Sequence, residues 1–155
     1  MWDAYVASLP AGRPAPGTWV VDSFGDSPAL ADELLGLVLE GTKRATAALA
    51  VEYELAGDPV PAAGDHWVVC DGAGTPRAVL RTTEVRHVPF RDVDAQLARD
   101  EGEGDRSLEW WRREHRRYWE RVGAESGFEL SETSVVVAER FCVVWPPDVA
   151  DAPAG

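Results

Sequence analysis

The chain has one lysine, Lys43, against fourteen arginines, and these cations are outnumbered by 27 Asp and Glu residues for a net charge of −12. Such a deficit of positive charge argues against tight, nonspecific binding to a nucleic-acid backbone, which needs several cations to displace counterions. DNA is therefore not an expected partner, whereas a nucleoside without phosphate, or a local basic patch on an acidic body, stays compatible. Cysteine is scarce too. Cys70 and Cys142 both fall in apolar, strand-like runs and read as buried free thiols of a cytoplasmic protein. No Cys/His spacing suggests a zinc site. No apolar run approaches the length that spans a bilayer, and the N-terminus lacks the basic-then-apolar pattern of a signal peptide, so no membrane partner is expected.

What is present is ordinary for a globular chain: 155 residues, 45% hydrophobic and 27% charged, the size of one domain with a substantial core. Residues 1–17 read as an Ala/Pro/Gly-rich extension with Trp2 and Tyr5 as docking points, 18–145 as one compact unit, and 146–155 as a loose tail. Trp19 to Phe24 reads as extended. Asp26 or Ser27 can cap a helix with Pro28 in its first turn; Leu30, Leu34, Leu37 and Val38 recur at helical spacing, and Gly41 stops it. Thr46–Leu49 looks extended, and Val51–Ala56 forms one or two helical turns. His66–Cys70 and Arg77–His87 read as strands joined through the hairpin signal Asp71-Gly72-Ala73-Gly74. Asp92–Asp100 is a short helix, and Leu108 to about Val122 a strong one with Leu108, Trp111, His115, Tyr118, Trp119 and Val122 on one face. Val135–Trp145 is a final long strand. Strands in both halves with helices between them predict an α+β domain built on a small, mostly antiparallel β-barrel with flanking helices.

Three constellations can carry chemistry. Lys43 is an ammonium in a chain that otherwise uses guanidinium; unlike Arg, Lys can give up its proton. It sits in Gly41-Thr42-Lys43-Arg44-Ala45-Thr46. Either it neutralises the carbonyls ending the preceding helix, or it activates the weakly nucleophilic hydroxyl of Thr46. The second constellation is Glu101-Gly102-Glu103-Gly104-Asp105, which can supply a general acid or base or bind a metal. It lacks the pattern of an EF-hand loop. Asp105 or Ser107 reads as the next helix's cap, with Glu109 joining the capping arrangement, and a functional role falls to one of the two glutamates. The third is the Trp/Arg run from Trp110 to Trp119. Most of its arginines read as a solvated face and His115 as a hydrogen-bonded core histidine, which leaves Trp110 as the candidate for stacking on a base.

The run Leu34 to Ala47, a helix followed by G-x-K-x-x-T and a strand, resembles the signature of ASCH domains. Gly64-Asp65 opening the strand at His66, the stretch Thr82-Thr83-Glu84-Val85, Phe24-Gly25-Asp26-Ser27, Glu101–Leu108 and Glu139-Arg140-Phe141 extend the resemblance to about residues 19–145. It implies a PUA-like β-barrel with a cleft beside the G-x-K-x-x-T turn and action on RNA or on a modified nucleoside. Some small members are amidohydrolases of N4-acetylcytidine with a Thr, Lys and Glu set, and another member is a ribonuclease. The resemblance puts the threonine at Thr46, the lysine at Lys43 and the glutamate at Glu101, with Glu103 two residues away. Phe24, Asp26, Arg44, Arg81, Glu103 and Trp110 are the candidate substrate contacts. Many members continue the motif as T-x-R, and this chain has Ala48 there; Arg44 or Arg81 are the available substitutes. The expected activity is hydrolysis of a modified nucleoside or small amide, the alternative a module for short single-stranded RNA or a ribonuclease in the same cleft. No cofactor or metal is assigned.

Overall fold

A computed structural model describes residues 1–12 and 17–152. Five strands form one sheet: β1 (Trp19–Ser23), β2 (Ala45–Leu49), β3 (His66–Cys70), β4 (Pro76–Pro89) and β5 (Val135–Trp145), in the spatial order β1-β3-β4-β5-β2. All neighbours pair antiparallel except β1 with β3. The long β4 carries irregularities at Val79/Leu80 and Thr82/Glu84, and bulges of this kind bend a strand and raise its twist. The sheet curls into a half-barrel, α+β in class. It does not close: β1 and β2 are its two edges.

Helices cover this sheet where the sequence supplies apolar faces. In α2 (Pro28–Leu39) the Ser27 hydroxyl accepts from Leu30 N–H, and Leu34, Leu35 and Val38 pack with Val69, Leu80, Phe141 and Val143. The short α3 (Ala50–Ala56) begins where Glu52 turns back to accept from Leu49 N–H. A turn of 3-10 helix (Phe90–Asp92) leads into α4 (Ala95–Glu101), which Asp94 caps by accepting from Leu97 N–H. In α5 (Leu108–Ser126), capped by Ser107, Trp111 and Trp119 are fully buried against Phe90, Leu97 and Val136. The three rings of Phe90, Trp111 and Trp119 lie 5.9–6.0 Å apart, contacts worth about 0.5–1.5 kcal/mol each beyond their burial.

Two terminal segments are more integrated than composition suggests. The first residues form α1 (Trp2–Ser8), whose Tyr5 is buried against Val68 and Val79 with its hydroxyl 3.1 Å from His66 Nε2. After β5 the chain turns back, so that Asp151 accepts from Val143 N–H and binds Arg44. A carboxylate that satisfies a strand's free N–H anchors a segment that apolar content alone would leave loose.

Candidate active site

The end of α2 builds the first half of the site. Gly41 takes a positive φ of +88°, which reverses the chain and lets Thr42 and Lys43 N–H both bond Leu37 C=O. The cation that satisfies the helix end is Arg44. Its guanidinium donates to Val38 and Lys43 C=O at 2.8 Å and pairs with Asp151 at 2.7 Å. Arg44 is thus committed to structure, and Lys43 is free of that duty.

Lys43 is 1% exposed. Its Nζ donates to Glu103 Oε1 at 2.6 Å, to Glu101 Oε2 at 3.4 Å and to Glu101 C=O at 3.5 Å, and lies 5.5 Å from the centre of the Phe24 ring. A buried ammonium persists only with such partners. Glu101 is the last residue of α4 rather than part of the acidic loop, and it is 2% exposed. Its Oε1 accepts from Trp111 Nε1 at 2.7 Å. His115 stacks on Trp111 at 4.0 Å with Nδ1 2.9 Å from Trp111 C=O. A carbonyl only accepts, so Nδ1 carries a proton, and Nε2 lies 3.7 Å from Glu101 Oε2.

Glycine positions this array. Gly102 has φ +74°, and a Cβ there would lie 2.6 Å from Thr42 O, so α4 ends in direct contact with the Thr42–Lys43 turn. At Gly104 a Cβ would fall 2.2 Å from the Trp110 indole. Trp110 therefore packs against the acidic loop. Asp105 accepts from Ser107 N–H, and the two hydrogen bonds from Ser107 hold its carboxyl below the usual range. Among the described residues no group of three or more His, Cys, Asp or Glu is arranged to hold a metal ion.

The second half is a cleft of about 480 Å³ between the open sheet edges, lined by β1 with Phe24, by Thr46–Ala48 of β2, by Tyr53 of α3 and by Asp65, Thr82 and Glu139. Thr46 and Glu139 are direct cross-strand partners, so their side chains share a face. The Thr46 hydroxyl has no hydrogen-bond partner among the described residues. Glu139 is 8% exposed and accepts from Thr82 Oγ1 at 2.5 Å. Burial pushes its carboxyl above the usual range; the Thr82 hydrogen bond pulls it partly back, and the charge of Asp65 adds to the rise. Burial, with the charge of Glu139 next in weight, pushes the Tyr53 hydroxyl up to about 12.

The sequence-derived candidates thus divide. Lys43, Glu101 and Glu103 come together, and Phe24 joins them to the cleft that holds Thr46. Asp26 pairs with Arg121 on the surface, and Arg81 lies beside Cys142; with Arg44 and Trp110 they do not line the cleft. Glu139, Thr82, Tyr53 and Asp65 do line it and were not singled out as site residues. The available signal for Glu139 was an acid inside the apolar run of β5.

The ASCH domain family model matches residues 20–145. The chain belongs to the ASCH domain family. Among solved structures, the ASCH domain from Lactobacillus crispatus JV V101 superposes with a TM-score of 0.85 at 31% identity, over 93% of this chain and 91% of that one. Protein EF3133 from Enterococcus faecalis V583 follows at 0.79 and 28%, over 92% of this chain and 84% of that one. Hypothetical protein PH0355, at 15% identity and 0.52, shares the fold alone. No curated protein matches the sequence. For this ASCH protein, then, the G-x-K-x-x-T turn is tied to a buried Lys–Glu–Glu array on one side and to an open cleft on the other.

Proposed function

We propose that this ASCH-domain protein is a hydrolase of a modified nucleoside or related small amide, with Thr46 as nucleophile and Lys43 as the group that activates it. The observation that carries this reading is the burial of Lys43 between Glu101 and Glu103 at the start of the strand that presents Thr46's unpartnered hydroxyl to the cleft. Lys43 passes a proton to Glu103, which is the nearer carboxylate and 20% exposed. The freed amine then takes the Thr46 proton as the hydroxyl oxygen attacks the amide carbonyl. The C–N bond breaks, and the leaving amine departs with the proton that Glu103 received from Lys43. Water hydrolyses the Thr46 ester, releases the carboxylic acid and restores the hydroxyl. Lys43 and Thr46 are not hydrogen-bonded in the structure; catalytic contacts of this kind often tighten only with substrate bound. Glu101, held by Trp111, acts chiefly to position Lys43, and Glu103 is the better placed shuttle.

The alternative, a module for short single-stranded RNA with or without cleavage, has less support. Among the described residues the cleft is lined by Asp22, Asp58, Asp65 and Glu139 and by neither Arg nor Lys, and RNA backbones need cations. The test is chromatography of N4-acetylcytidine incubated with purified protein, beside Lys43→Arg and Thr46→Ala. Release of cytidine by the wild type and its loss in both variants is the expected result. No release by the wild type removes this substrate. Salt-sensitive binding or cleavage of single-stranded RNA would then favour the alternative.

A further inference from the structure

The cleft holds a carboxyl that the mechanism above does not use. Glu139 faces Thr46 across the β2–β5 ladder. Its Oε1 is fixed by the Thr82 hydroxyl, and no described residue bonds Oε2. That oxygen is open to the cleft, where a ligand can complete its hydrogen bonding. Beside it stand flat, apolar walls: Phe24 and Trp67, with ring centroids 4.4 Å apart, and Ala47, Ala48 and Val137. Ala48 matters for what it is not, since a longer cationic side chain there would enter this space. The remaining charged lining residues among those described are Asp22, Asp58 and Asp65, with His66 beside them. Burial, followed by the positive charge of Arg81, disfavours the charged form of His66.

We infer that Glu139 is the specificity-determining residue of this cleft: its Thr82-anchored carboxyl pairs with the N–H and ring-nitrogen edge of an uncharged planar heterocycle, and the surrounding aspartates turn phosphorylated forms away. The inference deepens the hydrolase reading, and it rests on that reading only for placing the substrate in the cleft. Oε1 has a second lone pair for a ligand N–H. In its protonated form, which burial favours, the carboxyl offers an Oε2 O–H to the neighbouring ring nitrogen. Side-by-side acceptor and donor complement an aminopyrimidine. Rejection of phosphate follows from like charge against Asp22, Asp58 and Asp65.

The experiment is calorimetric titration of the full chain with cytidine and with cytidine 5′-monophosphate, for wild type, Glu139→Gln and Glu139→Leu. Wild type is expected to bind cytidine at least about ten-fold more tightly than the monophosphate, like charge across an interface being strongly unfavourable. Glu139→Gln, which keeps an acceptor and a donor, retains cytidine binding within about three-fold. Glu139→Leu, of similar size but without either, loses at least about ten-fold, the usual effect of leaving polar partners unpaired. Should the Leu variant not fold, Thr82→Val/Glu139→Leu removes the stranded hydroxyl as well and carries the same expectation. Equal binding of the two ligands, cytidine binding indifferent to Leu at 139, or no cytidine binding by wild type overturns the inference. Cytidine binding that depends on Glu139, without any turnover of N4-acetylcytidine, leaves it standing and sinks the hydrolase reading instead.

Discussion

Replacing Lys43 by Met tests whether the buried array is electrostatic in origin. Methionine fills nearly the same volume, so the change removes charge and donors with little new cavity. It deletes the 2.6 Å bond to Glu103, the 3.4 Å bond to Glu101 and the 3.5 Å bond to Glu101 C=O. Glu103 is 20% exposed and recovers part of its solvation from water. Glu101 is 2% exposed and keeps only the Trp111 indole donor and the more distant His115. Removing one partner of a buried ion pair costs about 3–5 kcal/mol, because the other charge is stranded. At roughly 2–4 °C per kcal/mol for a domain of this size, the melting temperature falls by about 6–20 °C. Urea unfolding of Lys43→Met, Glu101→Gln and the double variant measures this directly. In the double variant no charge is stranded at position 101, so its loss should be well below the sum of the two single losses. A cost for Lys43→Met under about 1 kcal/mol, or strict additivity in the cycle, would refute the reasoning and return Lys43 to an ordinary loop lysine.

Two further outcomes follow from the same geometry. Gly102→Ala forces a side chain into a left-handed conformation, at about 1–3 kcal/mol, and drives its Cβ into Thr42 O. Lower stability in urea and loss of N4-acetylcytidine turnover together are expected, because the contact that seats Glu103 on Lys43 is displaced; unchanged turnover would contradict it. Glu139→Gln should alter the pH dependence of stability. The folded state holds the Glu139 proton above its ordinary value of 4.5, so the wild type loses stability as pH rises from that value through the raised one. Gln has no such loss. Urea unfolding at about pH 4 and about pH 8 should show the variant gaining on wild type at the higher pH; a stability difference between the two proteins that is the same at both pH values would contradict the shift.

Much of the fold was legible in local chemistry. Ser27 before Pro28, Gly41 after the α2 periodicity, the Asp71–Gly74 turn and the apolar stripe of α5 each act within a few residues, so a linear reading finds them. The strand limits Val135–Trp145 match those of β5. The buried end of the site was also partly legible, since one lysine among fourteen arginines and a glycine-spaced acidic loop are compositional facts. Less legible were α1 and Asp151, which are held by Tyr5–His66 and Arg44–Asp151, contacts between residues 61 and 107 positions apart.

Sequence by itself determined the α+β character and the helix ends, while the grouping of Lys43, Thr46 and the two glutamates is what the resemblance to ASCH domains implies. The fold character and the helix ends follow from periodicity and from glycine's access to positive φ. Tertiary structure alone decided that Arg44 serves the α2 terminus, that Glu101 belongs to α4 under the Trp111 indole, and that Glu139 stands across from Thr46 in the cleft. Cross-strand register and burial set those roles. Both depend on which distant segments meet, and a carboxylate in a strand acquires its raised proton affinity only after the sheet has taken its water away.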